Sequence, residues 1–208
     1  MTGLTLDISM SLDGFVAGPN ITMEQPLGEG GELLHDWITR LASWRARHGQ
    51  EGGETGPAND LVERLVGSIG AYVMGRRMFS GGAGVWEDDP NADGWWGDEP
   101  PFRAPVFVLT HHEREPLVKQ GGTTFTFVTD GIESALEQAK AAAGEGDVQL
   151  SGGADVVQQY IRAGLVDTLQ IHIAPVLLGG GTSLFGELGA PVSLQPTDPT
   201  HITLMPAR

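Results

Sequence analysis

The sequence predicts an α/β protein with a central, mostly parallel sheet and flanking helices. Apolar, β-rich runs alternate with helix-patterned segments along the chain, which is typical of parallel strands joined by crossover helices. Two glycine turns, at residues 74–79 and 151–154, each follow an apolar strand and precede a helix. A chain of 208 residues is long enough for one well-filled core and short for two, so a single domain spanning residues 1–208 is expected.

The individual elements are predicted from periodicity and turn residues. Residues 4–10 alternate apolar and polar side chains as a first strand, and residues 32–47 carry apolar side chains at the spacing of an amphipathic helix. Asn59 or Asp60 is expected to cap a second helix. The remaining strands are predicted at residues 71–74, 105–110, 124–128, 148–151 and 168–174, and the remaining helices at residues 132–143 and 154–163. Residues 192–195 and 201–205 are predicted to pair as a C-terminal antiparallel hairpin.

Residues 81–104 form the least regular segment. Trp86, Trp95, Trp96 and Phe102 lie there among acidic residues and prolines. A loop of this composition is predicted to lie outside the core, either as a lid over the functional site or as a subunit interface.

Composition excludes several classes of function. With 27 acidic and 12 basic residues the net charge is −15, which disfavours nucleic acid and anionic membranes as partners because their phosphates would be repelled. The absence of cysteine excludes disulfides, thiolate chemistry and cysteine metal sites. No apolar run has membrane-spanning length, and the N-terminus enters a strand without a basic leader. A soluble, cytoplasmic protein is therefore expected.

The first glycine turn combines Gly75 with Arg76 and Arg77. Backbone N–H groups and fixed positive charge directed at one point suit a phosphate, although a surface turn with two arginines explains the same residues. The second turn, residues 151–154, would let a ligand approach the backbone closely, or would be an ordinary strand–helix turn. It lacks the third glycine of the G-x-G-x-x-G fingerprint. Two phosphate-sized turns in one small α/β domain suggest a dinucleotide.

Polar residues at two predicted strand ends are further candidates. Asp13 follows the first strand and is the best candidate for a substrate-side polar group, although aspartate before glycine is also a common turn pair. His111 and His112 follow the strand at residues 105–110, where either could partner a phosphate or lie in a solvated turn. Adjacent histidines at a strand end point apart and no third ligand is evident, so no metal site is predicted.

Four motifs, taken in order, carry a resemblance to a known family. They are residues 8–18 (ISMSLDGFVAG), residues 74–79 (MGRRMF), residues 151–154 (SGGA), and residues 174–181 (APVLLGGG) with Leu184 and Phe185. In this combination the chain resembles the dihydrofolate-reductase-like superfamily over roughly residues 4–185. It most resembles the branch of the reductase domain of the bifunctional riboflavin-biosynthesis deaminase-reductase. The resemblance implies the dihydrofolate-reductase-like three-layer fold, NADPH as hydride donor, a small heteroaromatic or carbonyl substrate, and a homodimer.

The resemblance also assigns cofactor-binding residues. Gly75 and Arg76 match the superfamily's glycine–arginine pair, in which the arginine binds the 2′-phosphate of NADPH, while Met78 replaces the threonine common in dihydrofolate reductases. The glycine pair of residues 151–154 resembles the turn at which backbone approaches the nicotinamide and pyrophosphate, and whose inter-glycine peptide is often cis. The predicted cofactor-binding set is Gly75, Arg76, Arg77, Thr110, His111, Ser151, Gly152, Gly153, Ala154 and Val156.

Three carboxylates are the predicted catalytic residues. Asp13 lies at the mouth of the site in the relatives and would supply a proton directly or through a water. Glu32 or Asp36 could approach the position of the pterin-anchoring carboxylate of dihydrofolate reductases, where a carboxylate must be half-buried to hold a ring nitrogen. Asp7 stands where riboflavin-pathway reductases usually carry lysine, which counts against literal riboflavin-pathway activity.

Three functions are compatible with these residues. The leading hypothesis is an NADPH-dependent reductase in which the protein chiefly binds and orients, because hydride chemistry belongs to the cofactor. A non-catalytic nucleotide- or drug-binding protein on the same fold is the alternative, and Asp7 and Met78 favour it. The riboflavin-pathway reductase itself is the third, and the substrate remains an analogy of fold.

Overall fold

A seven-stranded sheet organises the protein, whose computed structural model describes residues 2–82, 84–186 and 188–195. Its strands are β1 (Leu4–Ser11), β3 (Ile69–Gly75), β4 (Pro105–Leu109), β5 (Leu117–Val118), β6 (Thr124–Val128), β7 (Asp147–Gly152) and β8 (Thr168–Ala174), while β2 (Phe15–Ala17) and β9 (Thr182–Ser183) form a separate antiparallel pair. The strand order in the sheet is β5-β6-β4-β3-β7-β1-β8, and every neighbouring pair is parallel except β5 with β6. The predicted mostly parallel sheet is confirmed.

One face of the sheet packs against two helices, α5 (Ile132–Ala143) and α6 (Ala154–Arg162). The alternation in β1 explains this face, since Leu4 and Leu6 are fully buried there while Thr5 and Asp7 point to the opposite side. The small residues of α5 allow close approach to the sheet, and a Cβ at Gly70 of β3 would lie 2.2 Å from the Ala143 carbonyl oxygen. Both helices were predicted within one residue of these bounds.

The opposite face of β3, β4 and β6 carries a second, aromatic core. Its fully or nearly fully buried members are Tyr72, Met74, Phe79, Val106, Val108 and Phe125. Phe79 belongs to the short helix α4 (Arg76–Ser80) and packs edge-on against Phe125. Half-buried Trp86, Trp96 and Phe102 cover the cluster. The prediction that residues 81–104 lie outside the core was therefore wrong for these three rings, because together with α4 they cover the aromatic face of β3, β4 and β6.

The predicted helix over residues 32–47 is divided into three short pieces. A 3-10 turn (Gly31–Leu34) is followed by α1 (Asp36–Thr39) and α2 (Ala42–Arg47). The first division falls at His35 and the second at Leu41, whose extended backbone (φ −72°, ψ 143°) bridges Glu54. Apolar spacing alone does not reveal such a break, because the buried side chains keep a near-helical period through it.

The second helix, α3 (Pro57–Ser68), begins at Pro57 and not at Asn59 or Asp60. Proline suits the first helical position because its missing N–H would have no partner there. Asn59 is buried and accepts a hydrogen bond from the Ser43 N–H, so its amide joins α2 to α3 instead of capping. No helix in the described ranges is long and apolar enough to cross a membrane.

The predicted C-terminal hairpin falls largely beyond the part of the chain that is described. Residues 192–195 have no regular structure, and residues 201–205 lie outside the described residues. The antiparallel pair that the structure does contain joins β2 to β9. A Cβ at Gly181 would lie 2.1 Å from the Ala17 carbonyl oxygen, so this close pairing requires glycine.

Candidate active site at the carboxyl edge of the sheet

Both glycine turns lie at the carboxyl edge of the parallel sheet, where β3 and β7 are neighbours. A Cβ built on Gly75 would lie 3.5 Å from the Gly153 N and 2.9 Å from the Val156 side chain. The two turns are thus in direct contact, as the dinucleotide hypothesis requires. Val156 is buried and fills the space beside Gly75, so its observed contact is with the first turn.

The Gly152–Gly153 turn presents bare backbone on one side. The peptide between the two glycines is cis, as the resemblance led us to expect. Gly152 has a φ of +125°, and its Cβ would meet the Met78 sulfur at 3.3 Å. A Cβ at Gly153, in contrast, would meet no heavy atom of the described residues within 4 Å. The Ser151 hydroxyl beside them is buried and has no hydrogen-bond partner among the described residues.

Arg76 is directed into the protein and away from solvent. Its side chain is 7% exposed, and its guanidinium lies 2.5 Å from the Asp89 carboxylate and 3.5 Å from the Trp86 ring centroid. It also donates a hydrogen bond to the Ser80 hydroxyl. Arg76 therefore joins α4 to the tryptophan-rich loop. A glycine–arginine motif does not reveal this pairing, because the counter-charge lies 13 residues further along the chain.

Asp89 is held as a carboxylate by the same cluster. Its oxygens accept hydrogen bonds from the Ser80 hydroxyl and the Asn91 N–H. Burial acts to raise the pKa of Asp89, but these donors and Arg76 outweigh it, so the pKa lies below its usual value. Arg76 and Asp89 thus form a charged pair that is closed to solvent.

Arg77 is the exposed cation of the first turn. Its side chain is 73% exposed and lies 3.7 Å from Asp155, which is itself 82% exposed. Asp155 belongs to the first turn of α6, directly after the second glycine turn. The structure therefore brings Arg77, and not the Arg76 guanidinium, to the solvent side of the paired turns.

Thr110 and His111 follow β4 at the same edge. Thr110 is buried, and its hydroxyl accepts a hydrogen bond from the His112 N–H. The His112 carbonyl in turn accepts one from the Trp86 indole N–H. Thr110 thus shapes the segment that anchors Trp86, while His111 is exposed to solvent. Within the described ranges, no group of three or more His, Asp or Glu side chains is arranged to hold a metal ion.

Asp13 acts as a clamp between two loops. Its carboxylate accepts hydrogen bonds from the Ser11 hydroxyl (2.6 Å), the Leu178 N–H (3.1 Å) and the Gly179 N–H (2.7 Å). These donors, with Ser11 first, hold the pKa of Asp13 below its usual value. A group that stays ionised and accepts three hydrogen bonds is poorly suited to donate a proton. The contacts support a structural role in place of the predicted proton-donor role.

Glu32 and Asp36 lack the burial that a ring-anchoring carboxylate needs. Both are exposed. Asp36 nevertheless lines a cleft of about 540 Å³ between α1 and the end of β8, together with Trp37 and Arg40. The strand side of this cleft is formed by Ala174, Pro175 and Val176. The two carboxylates predicted for ring binding therefore lie at the rim of the cleft or outside it.

Sequence reasoning missed a polar cluster beside this cleft, which it meets through Trp37. His172 Nε2 lies 2.9 Å from Asp7 Oδ1, and the Trp37 ring stacks on the imidazole with 4.4 Å between ring centroids. The Trp37 indole N–H donates to the Ser9 hydroxyl. One signal was present, since a histidine interrupts the apolar residues of the strand at residues 168–174. Its partner could not be found, because it lies 165 residues away.

Comparison with known proteins identifies the family. The family model of the RibD C-terminal domain matches residues 2–204. The chain belongs to this family. The RibD C-terminal domain is the branch of the dihydrofolate-reductase-like superfamily that the four motifs indicated, and the observed sheet agrees with it, so both the recognition and the predicted fold class are confirmed.

Two of three similar proteins span most of this RibD C-terminal domain, and the third spans less than a third of it. The uncharacterised protein YyaP of Bacillus subtilis is 26% identical over 196 residues, which cover 92% of this chain and 85% of YyaP. A second uncharacterised protein of Bacillus subtilis, YwjB, is 32% identical over 63 residues, covering 30% of this chain and 36% of YwjB. A crystal structure of a Shewanella sp. PV-4 protein, provisionally described as a riboflavin biosynthesis protein, superposes with a TM-score of 0.56 at 25% identity and covers 93% of this chain and 88% of that one.

Proposed function

We propose that this protein is an NADPH-dependent reductase that acts on a small heteroaromatic or carbonyl compound. Membership of the RibD C-terminal domain family supports a reductase of the riboflavin-pathway type. The observation that carries the proposal is the open backbone at Gly153, which adjoins the turn of Gly75 and Arg77 at the carboxyl edge of the sheet. Ligands of open α/β sheets bind at this edge.

The residues of the paired turns fit a dinucleotide. Open space over Gly153 leaves room for a ring or a pyrophosphate against the backbone, and the unpartnered Ser151 hydroxyl is a buried polar group beside it. Arg77 would contribute the exposed positive charge, while Arg76 fixes the helix on which Arg77 lies. When bound there, a nicotinamide cofactor supplies hydride, and this chain orients the acceptor against it.

Two observations keep a non-catalytic ligand-binding protein as the second candidate. Asp13 is ionised and fully engaged in its clamp, and Glu32 and Asp36 are exposed, so none of the three predicted carboxylates is suited to proton donation. Literal riboflavin-pathway activity is further disfavoured because Asp7, in place of the usual lysine, is committed to His172.

Cofactor titration followed by an acceptor screen tests the proposal. NADPH and NADH are titrated by calorimetry, and oxidation of the preferred cofactor is then followed with pterins, pyrimidine precursors of flavins, and small aldehydes and ketones. We expect tighter binding of NADPH and turnover of at least one acceptor. Binding without turnover of any acceptor favours the non-catalytic alternative, and absence of binding of either cofactor contradicts the reductase.

Arg77→Ala is expected to weaken NADPH binding more than NADH binding, by about tenfold, or about 1.4 kcal/mol, because the exposed guanidinium faces the 2′-phosphate in this proposal. Arg76→Ala is a poor test, since it also leaves the buried Asp89 without its partner. Arg64→Ala, which removes an exposed arginine of α3, is the control. An unchanged NADPH-to-NADH ratio in Arg77→Ala would assign cofactor preference to another group.

A homodimer joined through the β8 edge is also proposed. β8 ends the sheet, and Ile173 and Leu177 are 42% and 68% exposed beside it. We expect light scattering to give a dimer mass for the wild type and a monomer mass for Leu177→Asp, because burying the new charge would be costly. Val118→Asp alters an equally apolar residue, 75% exposed, at the other end of the sheet and should leave the mass unchanged. A monomeric wild type contradicts the proposal.

A further inference from the structure

A half-buried histidine–carboxylate pair lies beside the cleft between α1 and β8 and has no part in the functions considered so far. His172 and Asp7 expose only 13% and 20% of their side chains, and their 2.9 Å contact orients the imidazole through Nε2. The other ring nitrogen, Nδ1, makes no hydrogen bond to a described residue and is not among the buried unpartnered atoms. That nitrogen is free to exchange a proton with a molecule in the cleft.

The position of His172 brings it to the cleft. Ala174 is two residues further along β8 and therefore on the same face of the strand, and it lines the cleft. Trp37 covers one side of the imidazole and also lines the cleft. Two strand spacings, about 10 Å, separate β8 from the glycine turn that ends β7. A planar acceptor lying across the end of β1 would reach both His172 and the glycine turn.

The structure assigns to His172, oriented by Asp7, the delivery of the proton that accompanies hydride transfer; this inference rests on the proposed reductase function. In the reduction of a C=N or C=O bond, the acceptor carbon takes the hydride, and the nitrogen or oxygen takes the proton from Nδ1 of the imidazolium. His172 becomes neutral, keeps its Nε2–H bond to Asp7 and is reprotonated from solvent. The carboxylate accepts the Nε2–H, which leaves Nδ1 as the nitrogen that exchanges the proton.

The charged groups around His172 are consistent with this role. Asp7 of β1 is the carboxylate in contact with the ring. On the elements that pack over it, Glu32, Asp36 and Arg40 are exposed to solvent. His35 between them is half-buried, and burial holds the pKa of its imidazole below the ordinary value. Ser9, opposite His172 in the strand register, accepts the Trp37 indole N–H. Of the two half-buried histidines, His172 is the one oriented by a carboxylate.

Turnover by His172→Gln tests the assignment. Glutamine can still donate a hydrogen bond to Asp7 but cannot carry the proton, so we expect kcat to fall about 100-fold or more while the Kd for NADPH and the KM of the acceptor change less than threefold. Asp7→Asn should lower kcat less and alter its pH profile, because the imidazole loses its carboxylate. His48→Gln, which changes an exposed histidine that also stacks on a tryptophan, should leave kcat unchanged.

A second measurement tests the assignment without requiring turnover. Trp37 lines the cleft, so its fluorescence should change when an acceptor binds there. The change should be lost in Trp37→Phe and kept in His172→Gln and His48→Gln, because neither histidine substitution closes the cleft. Unchanged kcat in His172→Gln, or acceptor binding that leaves Trp37 fluorescence unchanged, overturns the assignment while the reductase function stands. If the wild type binds NADPH but reduces no acceptor, the proposed function fails, and the proton-donor role fails with it.

Discussion

Replacing Asp89 with alanine is expected to destabilise the protein by about 3–5 kcal/mol, because it leaves the buried Arg76 guanidinium without a counter-charge. The Ser80 hydroxyl and the Asn91 N–H would lose their acceptor as well. For a chain of this length the loss corresponds to a fall in Tm of roughly 10 °C. Thermal unfolding followed by circular dichroism and urea titration measures it.

The neighbouring residue supplies a matched control. Asp88 has the same charge and is exposed, so Asp88→Ala should change the free energy of unfolding by less than about 0.5 kcal/mol. Combining Asp89→Ala with Arg76→Met should recover part of the loss, since the buried charge is removed together with its partner. An Asp89→Ala variant as stable as the wild type would mean that Arg76 leaves its buried position, and would return Arg76 to the set of candidate phosphate ligands.

Gly153→Val should lower the affinity for NADPH about 100-fold or more (about 2.7 kcal/mol of binding free energy), with little effect on the free energy of unfolding. The fold leaves the space over Gly153 open, and its backbone (φ −74°, ψ −174°) is one that any residue adopts. A Cβ there meets no heavy atom of the described residues within 4 Å, but the side chain occupies the volume in which cofactor and backbone would touch. Calorimetric titration with NADPH, paired with thermal unfolding, measures the two effects separately.

Graded and distant substitutions make this result specific. Gly153→Ala should have an intermediate effect on affinity, because its methyl group fills less of the open space. Gly67→Val also places a side chain in open space, but in α3 and away from the carboxyl edge, and should leave NADPH binding unchanged. A folded Gly153→Val protein that binds NADPH normally would show that the turn has only a structural role.

The local pattern was sufficient to predict most of the sheet. Alternation in β1 and the apolar runs of β3, β4 and β6 each indicate which side chains are buried, because a strand has a period of two whatever its neighbours are. The two glycine turns were also recognisable, since glycine marks close backbone approach, and the contact between them follows from β3 and β7 being adjacent parallel strands. The helix over residues 32–47 was wrong because the extended Leu41 breaks it without breaking its apolar spacing.

The roles of the charged residues depended on tertiary structure. Arg76 and Asp13 both lie in the predicted motifs. Arg76 is paired with Asp89, and Asp13 accepts hydrogen bonds from the Leu178 and Gly179 N–H groups. These partners come from loops whose paths no local pattern specifies. Asp7 meets His172 only because β8 adds to the sheet beside β1. The sequence by itself determined the strands, their buried faces and the two glycine turns, since these follow from local conformational preference. Which charges are neutralised and which face the cleft was decided by strand order and loop packing, because electrostatic partners act across space and not along the chain.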